Sequence, residues 1–261
     1  MERGEGVVSL KRGLDILRAF RDTHVPLANK DIAERCKLPK TTVARLTYTL
    51  TRMGYLKQPV SSGQYHIGER VTLLGNAVLR GLTIRQVALP LMQSLADQFD
   101  MSVALGVAER TRMIYIAYCR SPKTMTMRLR VGSLVPMAQT AMGRAYLWAL
   151  PPEQRELHLK LIAEEAGDEA PKVLARLQDA FAQIDKSGYS MSLGEWRREI
   201  YAVGAPVWVN SDQMVLALNC GARRQGMTAK LFRDTVGPAL TGIADKVGDL
   251  MVSLGQSFWG E

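Results

Sequence analysis

Between residues 38 and 54 the side chains repeat with the period of a helix. Val43, Leu46, Leu50 and Met53 recur at spacings of 3, 4 and 3 and form one apolar stripe. Thr41, Arg45, Tyr48 and Arg52 fall roughly opposite, with Thr42 and Thr49 at the edge. Upstream, residues 9–22 give a helix that Ser9 can cap, with Leu10, Leu14, Leu17 and Phe20, and Ile16 alongside, as its buried face. Val25-Pro26-Leu27 breaks it. Residues 29–36 give a short second helix, inner residues Ile32, Ala33 and Cys36. Lys37-Leu38-Pro39 makes a tight turn into the helix at 38–54, where a proline fits because its missing N–H has no partner at a helix start. Three helices with a short turn between the second and third predict a helix-turn-helix.

Gly54 can take the left-handed position that ends the third helix. Residues 55–57 and 64–67 are short and β-prone around a Pro-Val-Ser-Ser-Gly segment, which predicts a β-hairpin, a wing. From Gly68 a helical pattern runs through Val71, Leu73, Leu74, Val78 and Leu79 to Gly81. No Ser/Gly/Pro-rich spacer interrupts it, so the link to the second part of the chain is helical. A further helix is predicted over 84–100, with Pro90 in its early part. The remainder mixes strands and helices. Residues 102–107 and 113–118 are apolar and β-prone, and 124–131 alternate strictly, as a strand with one buried face does. Helices are expected over 140–149, 152–166, 172–187 and 228–254. Paired strands are expected over 200–209 and 213–220, joined across Asn210-Ser211-Asp212. The fold class is α+β, with an antiparallel sheet in the second part.

Charge sharpens the first part. The chain has 261 residues, 47% hydrophobic and 23% charged, with a net charge of +9. Residues 1–80 carry 14 Lys+Arg against 7 Asp+Glu, a net of +7; the remaining 20 against 18 give +2. An excess of positive charge beside a hydroxyl- and arginine-bearing helix points to nucleic acid. Basic amphipathic sequence with aromatic anchors for a membrane surface is missing, no apolar run approaches the ~18 residues of a membrane helix, and the N-terminus has no apolar signal core. Three separated cysteines, Cys36, Cys119 and Cys220, make a reducing, cytoplasmic setting the expectation. His24, His66 and His158 stand alone, and the sequence has no Gly-rich phosphate loop, no G-x-S-x-G and no H-E-x-x-H. No enzyme activity, metal or cofactor is expected.

Several stretches together resemble the IclR-type transcriptional regulators. In the first half these are residues 9–17 (SLKRGLDIL), Asp31-Ile32-Ala33, Leu38-Pro39-Lys40-Thr41-Thr42, Arg45-Leu46, Gly54-Tyr55-Leu56 and Tyr65-His66-Ile67-Gly68. In the second they are residues 136–151 (PMAQTAMGRAYLWALP), Gly188-Tyr189, Gly194-Glu195 and Val203-Gly204-Ala205-Pro206-Val207. The resemblance implies a winged helix-turn-helix over 1–67, a linker helix over 68–81 and a GAF-like effector domain over 82–261. It implies dimers or tetramers that bind double-stranded palindromic operators and answer to a small organic effector; some members repress and others activate. The chain departs from the family pattern at Lys37, where glycine is usual, at Gln64, where a basic residue is common, at Ser192, where an acidic residue is usual, and at Asn219-Cys220-Gly221, in place of a serine region.

These readings give two sets of site residues. DNA contacts are expected from Lys40, Thr41, Thr42, Arg45, Tyr48 and Arg52 on the third helix, Lys57 and Gln64 in the wing, and Arg12 on the first helix. Helix N-termini and hydroxyls suit phosphate, and an arginine can fork onto guanine O6 and N7. The resemblance places the effector pocket near Met137, Ala138, Ser192, Glu195, Ala202, Asn219, Cys220 and Gly221, with a small carboxylate or aromatic acid as the expected ligand. Cys220 is expected to behave as a buried small hydrophobe.

Overall fold

The computed structural model describes residues 6–21, 25–124, 129–209, 214–255 and 258. The chain divides into two compact units, Met1–Arg80 and Gly81–Glu261.

The first unit contains α1 (Val8–Arg18), α2 (Asn29–Cys36), α3 (Lys40–Arg52) and a two-stranded antiparallel sheet of β1 (Leu56–Lys57) and β2 (His66–Ile67). Its core comprises Ile16, Phe20, Leu27, Ile32, Ala33, Val43, Leu56 and Tyr65. The backbones of Leu27 and Tyr65 exchange two hydrogen bonds of 3.0 and 2.8 Å, which tie the segment before α2 to the hairpin. Thr47 is fully buried on α3. Its hydroxyl donates back to the Val43 carbonyl at 2.9 Å and meets the Tyr65 hydroxyl at 3.2 Å. Gly54 ends α3 with φ 75°. Two helix faces differ from the sequence expectation. Met53 is exposed; the buried residues are Ile16 on α1 and Phe20 in the turn after it, while Leu10 and Leu14 are 63% and 51% exposed. No residue of α1 caps it by a side chain, and it starts one residue before Ser9. The next helix, α4 (Glu69–Gly81), buries nothing and exposes Leu73, Leu74 and Val78.

The second unit is built on a six-stranded antiparallel sheet of order β5-β4-β3-β8-β7-β6. The strands are β3 (Ser102–Glu109), β4 (Arg112–Arg120), β5 (Leu134–Pro136), β6 (Ser190–Leu193), β7 (Ile200–Val209) and β8 (Met214–Arg223). The helices are α5 (Thr83–Phe99), α6 (Ala141–Ala149), α7 (Pro152–Ala166), α8 (Ala170–Ser187), the short α9 (Ala229–Leu231) and α10 (Gly237–Ser253). A strand alternates faces. On β7 and β8, Val203, Ala205, Leu218 and Cys220 turn to the side of α5 and α10. Ala202, Gly204, Asn219 and Gly221 turn to the other side, against which α6 packs.

Small residues on that second face let α6 lie almost in backbone contact with the sheet. A Cβ on Gly204 would sit 2.4 Å from the Ala141 carbonyl. Residues 124–131 are not the expected strand where they are described: Thr124 is in a bend, Leu129 and Arg130 are irregular and Val131 is in a turn, while 125–128 lie outside the described residues. The 210–212 connection also lies outside them. The C-terminal helix is interrupted by a π-helical segment, Phe232–Val236, between α9 and α10. There Tyr189 donates its hydroxyl to the Arg233 carbonyl at 2.5 Å.

Candidate functional site

The face of α3 away from the core carries no covering element within its unit. Lys40, Thr41, Arg45, Tyr48 and Arg52 are exposed along it, Tyr48 at 67%, and Thr42 is half-buried. Among the described residues Lys40, Arg45 and Arg52 make no ion pair, so their charges are available to phosphate or base edges. Pro39 stands at the N-cap position and leaves the first-turn N–H groups of α3 without a side-chain cap. That end of the helix suits an anion. Arg12 is exposed on α1. Gln64 is half-buried in the wing loop, and Lys57 on β1 is ion-paired with Glu69, so the wing offers less free positive charge than α3.

The turn that aims α3 is held by backbone bonds. Leu38 N–H donates to the Ala33 carbonyl at 3.1 Å and Lys37 N–H to the Glu34 carbonyl at 3.3 Å. This is the paired bonding of a Schellman cap, and it puts Lys37 at φ 52°, ψ 44°, in the left-handed region. A non-glycine residue there costs about 1–2 kcal/mol.

In the second unit a cavity lies between the small-residue face of the sheet and the start of α6. Its floor is Ala202, Asn219 and Gly221; its sides include Ser192 on β6, Tyr115 on β4, Thr140 and Ala141 at the α6 N-terminus, and Trp196. Thr140 caps α6: its hydroxyl accepts from Gly143 N–H at 3.3 Å and donates to the Pro136 carbonyl at 2.8 Å. The volume is only about 20 Å³, room for roughly one water. A ring-sized ligand therefore has to push side chains such as Leu129 and Trp196 outward.

Of the residues the family resemblance assigned to the pocket, Ser192, Ala202, Asn219 and Gly221 line this cavity. Four do not. Cys220 cannot share a face with its neighbours Asn219 and Gly221; it points to the opposite side, its Sγ 3.7 Å from Met101 Sδ, and burial pushes its thiol up to about 12. Met137 is fully buried, and with Ala138 it borders a separate hollow of about 170 Å³ beside Thr111, Arg112 and Glu165. Glu195 lies behind Ser192: its Oε2 accepts from the Ser192 hydroxyl at 3.0 Å, and its Oε1 is 3.5 Å from the Arg144 guanidinium. Arg144, on α6, is buried and also donates to the carbonyls of Ala138 and Met191 at 3.0 and 3.2 Å. Burial lowers its pKa, an effect that Glu195 offsets only in part. The sequence reading missed Arg144, Tyr115, Thr140 and Trp196. The charge of Arg144 inside the apolar helix 141–149 was the available signal. Among the described residues no group of three His, Cys, Asp or Glu could hold a metal, and no helix is long and apolar enough to cross a membrane.

A helix-turn-helix with a wing, joined in one chain to an α+β unit with a cavity against its sheet, defines the general class of two-domain DNA-binding proteins. Comparison with known proteins narrows this. Residues 9–59 match the family model described as the IclR helix-turn-helix domain, and residues 76–248 match that described as the bacterial transcriptional regulator IclR C-terminal domain. The HTH-type transcriptional regulator TsaQ1/TsaQ2 of Comamonas testosteroni is 31% identical over 92% of this chain and 87% of its own. The crystal structure of an IclR family transcriptional regulator from Brucella abortus is 36% identical, covers 96% of each chain and superposes with a TM-score of 0.87. An IclR homolog from Microbacterium hydrocarbonoxydans, solved in complex with 4-hydroxybenzoate, shares the fold at 21% identity, TM-score 0.74, over 94% of this chain and 99% of its own. The chain belongs to the IclR family of bacterial transcriptional regulators.

Proposed function

We propose that this regulator binds a palindromic operator as a homodimer or a pair of dimers, and that a small carboxylic or aromatic acid in the cavity beside α6 changes its affinity for that DNA. The uncovered Thr41, Arg45, Tyr48 and Arg52 face of α3 carries the reading: it presents unpaired donors where a recognition helix meets the major groove. Lys40 and Thr42 extend it toward the phosphates. Leu10 and Leu14 on α1, and Leu73, Leu74 and Val78 on α4, are exposed apolar side chains of the kind that a second copy of the chain buries. A two-fold symmetric dimer reads an inverted repeat, which is why the operator is proposed to be palindromic. The Microbacterium homolog's ligand supports an aromatic acid as the effector class. The effector acts through its different affinity for the two states of the regulator, by linkage with DNA binding.

Footprinting on the intergenic DNA beside its own gene tests this. The expected result is a protected inverted repeat with half-site centres separated by a multiple of about 10.5 base pairs. Protection without dyad symmetry, or equal affinity for any duplex, would overturn it.

A further inference from the structure

We propose that the second unit carries another ligand site, separate from the cavity, for the phosphate monoester of a small metabolite. Where β7 begins and β8 ends, Arg198, Arg223 and Arg224 converge on an open hollow of about 470 Å³, and Glu199 and Gln225 complete its wall. The site does not depend on what the cavity binds.

Backbone bonds bring the three arginines together. Ile200 and Arg223 pair across β7 and β8. Next to them, Ile200 N–H donates to the Arg197 carbonyl at 2.9 Å, Arg224 N–H to the Glu199 carbonyl at 2.8 Å, and Met227 N–H to the Arg224 carbonyl at 2.9 Å. The backbone of the site is thus formed before any ligand arrives, which lowers the cost of binding. The charges on it are not used within the chain. Arg197 stacks on Trp196, 4.5 Å from the ring centroid. The guanidiniums of Arg198, Arg223 and Arg224 make no ion pair, hydrogen bond or ring contact among the described residues. Set against the one carboxylate of Glu199, they leave the hollow with a net of two positive charges. Like charges around one hollow repel, and a bound anion removes that cost. A phosphate monoester carries about −1.5 to −2 charges near neutral pH and three terminal oxygens. It matches the net charge and offers an oxygen edge to each guanidinium fork. A carboxylate or a phosphodiester, with one charge and two free oxygens, does neither. A DNA backbone also sets its phosphates in a row, whereas these arginines close on a hollow whose volume falls in the small-molecule range of about 300–1,000 Å³. The loop before β7 serves both sites without sharing a residue between them: Trp196 and Ile200 line the cavity, Arg198 and Glu199 the hollow.

Isothermal titration of the full chain with monoethyl phosphate and with diethyl phosphate, at constant ionic strength, tests this. The expected result is one monoethyl phosphate per chain, bound at least about tenfold tighter than the diester. The three arginines are exposed, so they can be replaced without disturbing the core. Arg223→Gln and Arg224→Gln should each weaken the monoester by about tenfold, and Glu199→Gln should tighten it. Lys160→Gln, which removes the same charge from α7, should leave it unchanged. Absence of monoester binding, equal affinity for the two phosphates, or an equal loss in Lys160→Gln and Arg224→Gln overturns the inference. So does an affinity for random duplex that falls in Arg224→Gln as far as the monoester affinity does, because the arginines would then be a surface for the DNA backbone.

Discussion

Replacing Lys37 with glycine should make the DNA-binding unit more stable, although it deletes a side chain and gains no contact. Lys37 is exposed and makes no ion pair among the described residues, so little is lost with its ammonium group. Its backbone sits at φ 52°, ψ 44°, where the Cβ crowds the following carbonyl at a cost of about 1–2 kcal/mol. Glycine relieves that and loses about 0.5–1 kcal/mol through the greater freedom of the unfolded chain. The net gain is about 0.5–1 kcal/mol. Lys37→Ala retains the Cβ and the strain, and serves as the control. The four tryptophans all lie beyond residue 81, so tryptophan fluorescence does not report on this unit. Native-state hydrogen exchange of core amides in α2 and α3 does. Those amides should exchange about two- to fivefold more slowly in Lys37→Gly than in the wild type, the factor that 0.5–1 kcal/mol supplies. If Lys37→Gly is no more protected than Lys37→Ala, the strain at this turn is not what the dihedral angles imply.

The second unit supplies three further expected outcomes. Gly204→Ala places a methyl group 2.4 Å from the Ala141 carbonyl and should cost about 3 kcal/mol or more, read from the urea midpoint of tryptophan fluorescence. Tyr189→Phe removes the hydrogen bond to the Arg233 carbonyl in the π-helical segment and should cost about 1 kcal/mol in the same assay. Glu165 is held below the usual carboxylate range first by the Thr111 hydroxyl, 2.5 Å away, and then by Arg112 at 2.8 Å. Its folded pKa lies below its unfolded one, so this stabilisation is present above about pH 4.5 and is lost as pH falls below it. Stability profiles of Glu165→Gln and wild type should therefore converge in acid; parallel profiles would show that Glu165 contributes nothing pH-dependent.

Much of the fold was legible because long amphipathic segments announce themselves. The helix α3 and its exposed outer face follow from a period of 3.6, the turn before it from Pro39, and the long strands β7 and β8 from apolar, β-prone runs. What escaped has physical causes. Leu10 and Leu14 are apolar at helical spacing, but spacing does not say whether the covering surface belongs to the same chain. Strands β5 and β6 have three and four residues, too few for a period to emerge. Thr47 looks polar, yet it is buried because its hydroxyl is satisfied by α3 itself and by Tyr65. The candidate cavity was legible only in part. Asn219, Cys220 and Gly221 are consecutive on a strand, so alternation alone assigns Cys220 to the other face. Arg144 and Tyr115 reach the Ser192 region and the cavity from other elements, through tertiary contacts that local sequence does not encode.

The central claim, that the outer face of α3 reads operator sequence, is tested most directly by one ratio. Fluorescence anisotropy at fixed salt gives the affinity of the full chain for the footprinted site and for random duplex, in the wild type and in Arg45→Ala. The wild-type ratio should be about 10³ or more. Arg45→Ala should lower it by the factor that about 1–3 kcal/mol of base discrimination represents, while affinity for random DNA falls far less. A ratio that Arg45→Ala leaves unchanged would contradict the account.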